Sequence, residues 1–494
     1  MIRRGERPVS GVSVGLARRR MNGAMLALYE IGASSPMTVL VGGVLAMYQT
    51  GVVGVPPTFL LAGLALGLLV VGYVAMSRHV PHAAPGYALP ARGLGPRWGL
   101  VGAALALPSY SAIGIAILGL FGSTLSGLVG GSWVWWAVAG WAVIAVAGVL
   151  NVALNTWVVA VVLCAELGTI AAFILAAFTH PAGGEITFTP LSVGAMWRDG
   201  LGGVFTFGIA AFVGFETAPV FSEEAKHSRS VARSIAGVLA FYPLFLFMAA
   251  WAVPVAVGVD GLSEEVNDPA AGLPFVVLDR AYGSGLSLLA TMLLVTSMLT
   301  AMLAFHGTVA RYVYGMAREK VLPGWLDLVG GTGARAGAPI AGSLTQSAVA
   351  LIVLAVVAAV HADPVTLLFT WLSAGAALGV LVLLVLASAA AVVFFRAGRG
   401  GHESVWVRTV APVLGVLAGG AVIAVMLANQ ALLLHETKVG PQLVLPGLVV
   451  VAVVAGLVWA ARLRRSRPRV YAEIGHGRPD PIAQPEARLA VLDV

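Results

Sequence analysis

Apolar runs of about twenty residues or more recur along the whole chain, separated by short polar joints. A helix that crosses lipid needs about 20 apolar residues, because its backbone must be hydrogen-bonded internally. The runs predict helices near 23–47, 57–77, 98–127, 133–150, 155–178 and 202–222. A second set falls near 232–258, 286–317, 339–361, 364–395, 409–430 and 441–462. Proline and glycine mark the joints at Pro56-Pro57, Gly130-Gly131, Pro181, Pro339 and Pro364. The expected fold is an all-α membrane protein of about 12 transmembrane helices.

Composition removes the soluble alternative. Hydrophobic residues make up 59% of the 494 and charged ones only 10%, where soluble domains hold about a quarter charged. No polar block is large enough for a soluble domain. The division expected is a tail at 1–22, a ten-helix core at 23–395, two further helices with their preceding loop at 396–463, and a tail at 464–494. Arg3, Arg4, Arg7 and Arg18 to Arg20 precede an apolar stretch long enough to span, which predicts a retained first helix and no cleaved signal.

Net charge is +7. The basic residues sit at the ends of apolar runs and form no separate basic module, so a lipid bilayer is the expected partner and nucleic acid is not. With both tails inside, the outer loops hold only Arg198, Arg280 and Lys438 among the Lys and Arg, while Asp260, Glu264, Glu265, Asp268 and Asp279 cluster outside. That bias predicts cytoplasmic termini in a cell (inner) membrane. Cys164, the single cysteine, builds neither a disulfide framework nor a zinc motif, and no cofactor is implied.

Two spans carry interruptions. The first reads Glu30-Ile31-Gly32-Ala33-Ser34-Ser35-Pro36, and the sixth Phe212-Val213-Gly214-Phe215-Glu216-Thr217-Ala218-Pro219. Glycine weakens a helix, and proline removes a backbone donor. Matched interruptions, in the first helix of each five-helix half, point to a transporter site. Unpaired N–H groups at one half-helix start suit a carboxylate; unpaired C=O groups at the other's end suit an ammonium or metal cation. The bland alternative is kinks or close packing.

Over roughly residues 20–465 the chain resembles the amino acid–polyamine–organocation (APC) transporter superfamily. Three stretches carry the resemblance: Gly32-Ala33-Ser34-Ser35-Pro36; Phe212-Val213-Gly214-Phe215-Glu216 with Ser222-Glu223-Glu224; and the run from Arg311 through Tyr312, Gly315, Met316, Ala317 and Arg318 to Pro323. It implies a 5+5 inverted repeat of the leucine-transporter type with two added helices. It also implies a secondary active permease for an amino acid or related amine, with substrate at Gly32–Pro36 and Phe212–Glu216. Ala33-Ser34-Ser35 replaces the Gly-Ser-Gly common in such permeases, a departure that bears on substrate range. A polyamine or organic-cation transporter and a substrate exchanger stay open as alternatives; oligomeric state is open too.

Ionisable groups inside spans are costly and face protein or water. Glu30, Glu166, Glu216 and His306 are therefore the candidates for substrate contact, proton coupling or charge relay, against a purely structural alternative. By the resemblance, Glu166 stands where some relatives place a fifth-helix lysine, with the sign reversed. Protons are the expected coupling ion; sodium held by hydroxyls such as Ser34 or Thr300 is the alternative. Arg311 and Arg318, with Glu223 and Glu224, are candidates for a cytoplasmic ion-pair gate or for positive-inside anchors. Trp133, Trp135 and Trp136 suit an interfacial belt, Arg462 to Arg469 suit headgroup anchoring, and the chain beyond Tyr471 reads as disordered. A membrane enzyme or receptor is the competing class, but no His-x-x-His or Glu-x-x-His pair and no nucleophile elbow lies within a predicted span, and no phosphate loop stands in the chain.

Overall fold

In the computed structural model, residues 16, 21–150, 152–267, 272–331, 333–401, 403–428 and 442–477 are described. The arginines expected in the N-terminal tail, Asp268, Lys438, the joint between the last two spans and the chain beyond Gly477 lie outside the described residues.

Among the described residues, eleven helices are long and apolar enough to cross a membrane: α1 (Gly23–Gln49), α2 (Pro56–His79), α4 (Pro96–Val129), α6 (Val152–Thr179), α7 (Leu201–Phe221), α8 (Ser228–Val257), α11 (Ser284–Arg318), α12 (Ile340–Ala359), α13 (Pro364–Arg396), α14 (Trp406–Ala428) and α15 (Val444–Ser466). A shorter apolar helix, α5 (Trp133–Gly148), stands between α4 and α6. Short helices α3 (Pro85–Leu94), α9 (Leu262–Asn267), α10 (Leu273–Tyr282) and α16 (Pro468–Ala472) cap the ends. Among the described residues the one β feature is a single bridge, Met21 to Ala225.

Burial follows position in the bundle. α7 is almost wholly enclosed, whereas α14 and α15 expose most of their apolar side chains. Around α4 pack α3, α11, α13 and α15, so one long helix ties most of the elements to one core. Glycine permits the closest approach here: a Cβ on Gly102 would meet the Gly86 carbonyl oxygen at 2.0 Å.

α1 and α7 are broken where the sequence weakens them. α1 stops at Ser34, turns through Ser35 at φ 52°, and restarts at Pro36, whose missing N–H costs nothing at a helix start. α7 stops at Phe212, passes through Gly214 at φ 117°, and continues as a 3₁₀ run, Phe215–Phe221. One sequence expectation needs correction. Past Tyr471 the chain stays ordered through Gly477, with Ile474 only 1% exposed, because backbone N–H groups there find a buried carboxylate.

Candidate functional site

The two breaks touch. A Cβ on Gly214 would lie 2.7 Å from Ala33 Cβ and 3.3 Å from the Ser34 nitrogen. Glycine at 214 thus satisfies both a positive φ and a close backbone approach. Beside this contact lies a cavity of about 50 Å³, lined by Ala33, Ser34, Ser35, Thr38 and Val39 of α1 and by Phe207, Ala210, Ala211 and Val213 of α7. α4 adds Ile113 and Ile117, α11 adds Phe305, and α13 adds Phe369 and Ser373. No ionisable side chain lines it, and its polar atoms come from hydroxyls and backbone. α1 and α13 both widen into π-helical turns at its rim, Val39–Val44 and Pro364–Leu372, a distortion frequent at functional sites.

Hydroxyls lead from the α1 break to a buried carboxylate. Ser35 Oγ hydrogen-bonds Thr38 Oγ1 at 2.6 Å and lies 2.7 Å from Ser297 Oγ. Ser297 donates to Glu166 Oε2 at 2.6 Å, and Glu166 is 1% exposed. Glu166 on α6 is thereby joined to α1 through α11, with no cationic side chain paired to it.

Below the cavity, toward the face that carries Met21 and Gly477 (here the terminal face), two ion pairs close the bundle. Arg311 donates from Nε and Nη2 to Glu224 at 2.6 and 3.2 Å, and its guanidinium lies 4.4 Å over the Phe221 ring. Arg318 grips Glu223 through two bonds of 2.8 and 2.6 Å, and the Ala83 N–H adds a third at 3.1 Å. Burial works to raise the Glu223 carboxyl, but the Arg318 bonds and charge win and hold it below the ordinary carboxylate value. Fork-to-carboxylate geometry fixes direction as well as distance. On the opposite side of the cavity, Phe207 and Phe369 stack at 6.4 Å between centroids.

Sequence and structure comparisons bear on this arrangement. A family model described as amino acid permease matches residues 25–459. The chain belongs to the amino acid permease family. No curated protein sequence matches it. A manganese transporter of Eremococcus coleocola is similar in structure at TM-score 0.52 and 14% identity, covering 93% of this chain and 100% of that one. A Na⁺-coupled sialic acid symporter gives TM-score 0.49 at 16% identity, covering 82% of this chain and 90% of that one. The permease is thus a multi-pass membrane protein of the APC superfamily with the leucine-transporter-type fold.

Within this permease, the residues singled out from sequence at and around the breaks differ in where they stand. Ala33, Ser34, Ser35 and Val213 line the cavity, while Gly32, Pro36, Phe212, Gly214, Phe215 and Glu216 stand behind that wall. Glu216 folds back on its own break: its Oε2 accepts the Gly214 N–H at 2.9 Å, and its Oε1 has no hydrogen-bond partner. Glu30 accepts from Ser234 of α8 at 3.1 Å through Oε1, with Oε2 likewise unpartnered. His306 lies away from both breaks; its Nε2 is 2.7 Å from Ser343 Oγ of α12, beside a separate cavity of about 30 Å³.

Sequence reading passed over Phe207, Phe305 and Phe369, which look like any apolar residue in a span. Ser297 and Ser373 were findable as hydroxyls inside apolar runs. Glu319 and His82, in contact at 3.1 Å, were missed because each sits beside a span end among ordinary polar residues. Among the described residues, no group of three or more His, Cys, Asp or Glu side chains is placed to hold a metal ion.

Proposed function

We propose that this permease carries a neutral amino acid with an apolar side chain, driven by protons through Glu166. The observation that carries this reading is the lining of the central cavity, which offers backbone and hydroxyls at the two breaks and only aliphatic and aromatic groups elsewhere. The half-helix beginning at Pro36 presents N–H groups suited to a carboxylate. Carbonyls ending Leu201–Phe212 suit the ammonium. Ile113, Ile117, Phe305 and Phe369 then form an apolar subsite, where a second charge would go unpaired at a cost of several kcal/mol, roughly.

Alternating access follows from the two closures. The Arg311–Glu224 and Arg318–Glu223 pairs form the gate on the terminal face, which the distribution of Lys and Arg assigns to the cytoplasm. The stacked Phe207 and Phe369 form the opposite gate. Glu166 couples the two because it reaches the α1 break through Ser297 and Ser35. A proton gained or lost there changes which hydroxyl donates and so changes the α1 conformation that the chain favours.

Thermal-shift and binding measurements on purified protein test the substrate class. Leucine, phenylalanine, lysine, putrescine and adenine make a discriminating panel. Stabilisation by leucine or phenylalanine alone is expected. Binding of lysine or putrescine in their place would favour the amine reading, whose support is the unpartnered oxygens of Glu30 and Glu216.

A further inference from the structure

The turn after α16 is held by bonds that its polar, glycine-containing sequence gives no hint of. The N–H groups of Gly475 and Gly477 donate to Glu319 Oε2 and Oε1 at 2.9 and 2.6 Å. Tyr87 of α3 donates its hydroxyl to the same carboxylate at 2.6 Å, and His82 Nε2 lies 3.1 Å from it. Four partners from two distant chain segments converge on one side chain that is 2% exposed, immediately beyond Arg318. Burial alone would raise this carboxyl, yet these bonds, His82 first among them, hold it down to about 2. Both glycines take positive φ, 74° and 66°, and Ile474 just before them is buried.

The other end of this arrangement is the gate. His82 donates its backbone N–H to Ser222 Oγ at 3.1 Å, and Ala83 donates to Glu223 Oε1 at 3.1 Å. Ser222 and Glu223 lie directly after the broken α7, and Glu223 is the partner of Arg318. The turn at 473–477 therefore holds Glu319, Glu319 holds the His82 ring, and the 82–83 backbone holds the foot of α7.

We propose that residues 473–477 form a strap that locks the terminal-face gate. Docked on Glu319, the strap keeps His82 and Ala83 against Ser222 and Glu223. Released, it leaves a buried carboxylate short of two donors, frees the 82–83 backbone and lets the Arg318–Glu223 pair part. Such a strap makes opening toward the terminal face conditional on the chain that follows α15. The proposal rests on the two-gate reading only for the face that opens, and it is independent of substrate.

Cysteine accessibility in the full chain tests it without transport. Cys164→Ser removes the exposed native thiol, and Thr308→Cys then places a probe one turn from Arg311 at a fully buried position. Val39→Cys, on the cavity's other side, is the matching control. Gly477→Pro deletes one donor and cannot adopt φ 66°, while adding no bulk to a tight contact. Gly475→Ala, whose Cβ would meet Ala91 Cβ at 2.9 Å, is a second route to the same release. Maleimide labelling at Thr308→Cys should rise by about tenfold in either variant, the scale of one lost charge-assisted hydrogen bond. Labelling at Val39→Cys should stay level or fall. Unchanged labelling at Thr308→Cys in whichever variant folds, or an equal rise at both probes, overturns the strap.

Discussion

The breaks in α1 and α7 meet face to face, yet they are stabilised by different chemistry. At the α7 break the strained residue is glycine, and the nearest carboxylate, Glu216, satisfies the N–H of that same break. At the α1 break the strained residue is a serine in the left-handed region, φ 52°, and its hydroxyl looks outward to Ser297 and on to Glu166. One break is closed on itself; the other is wired to two further helices. A left-handed non-glycine residue costs about 1–3 kcal/mol and persists where its surroundings over-determine it. In this fold the strain sits on the side that reaches the buried Glu166 carboxylate.

The most severe test of that contrast is Gly214→Val. A side chain there combines positive-φ strain with a contact to Ala33 Cβ at 2.7 Å from the first added carbon. The expected loss is about 2–5 kcal/mol of stability, enough to leave little folded protein. Thermal unfolding in detergent measures it. A melting temperature unchanged within error would mean that the breaks do not press on one another.

Glu166→Gln comes next. The amide still accepts from Ser297, so the fold survives, but it no longer takes up and releases a proton. In proteoliposomes, uptake of leucine driven by an imposed pH gradient should fall by about tenfold or more, the scale of one lost charge-assisted interaction, while counterflow without a gradient persists. Undiminished gradient-driven uptake would remove Glu166 from coupling, and uptake driven by sodium alone would replace protons altogether.

Ser35→Ala cuts the same wire with a gentler hand. It deletes the link between Thr38 and Ser297 and leaves Glu166 its direct bond. Gradient-driven uptake should drop by roughly threefold to tenfold, the value of one neutral hydrogen bond. An effect larger than that of Glu166→Gln would shift the role of this chain from proton handling to substrate contact at the break.

How far this was readable beforehand follows from the kind of signal. Spans declare themselves because apolar length is a property of the sequence alone, and α5 falls short only because Gly148 and the residues after it end the helix early. The breaks were visible because Gly32, Pro36, Gly214 and Pro219 are local punctuation. The pairing Arg318–Glu223 joins residues 95 apart, and only their types hinted at it. Partnership across the bundle was out of reach: no local pattern tells that Glu166 faces Ser297 or that His306 turns to Ser343. Apolar cavity walls such as Phe369 share their appearance with lipid-facing neighbours, and only packing separates them. Glu216 is the instructive case, since its place beside a break marked it for function while its carboxylate is engaged by the Gly214 N–H.

The smallest effect is therefore expected at Glu216→Gln. Glutamine keeps a carbonyl oxygen where Oε2 accepts the Gly214 N–H at 2.9 Å, so the cap on the break survives. Tyr73, which donates to the Glu216 backbone carbonyl at 3.4 Å, is untouched by the change. Oε1 has no hydrogen-bond partner to lose. The substitution should lower gradient-driven uptake by less than about twofold, below the value of a single net hydrogen bond, and leave its pH dependence in place. Glu216→Ala behaves differently: it removes the acceptor, strands the Gly214 N–H and should cost about 1–3 kcal/mol in thermal unfolding. The pair of variants separates a capping role from a proton-carrying one. Loss of the pH-gradient response in Glu216→Gln, with stability intact, would make the α7 break the coupled one and reverse the assignment drawn from the two geometries.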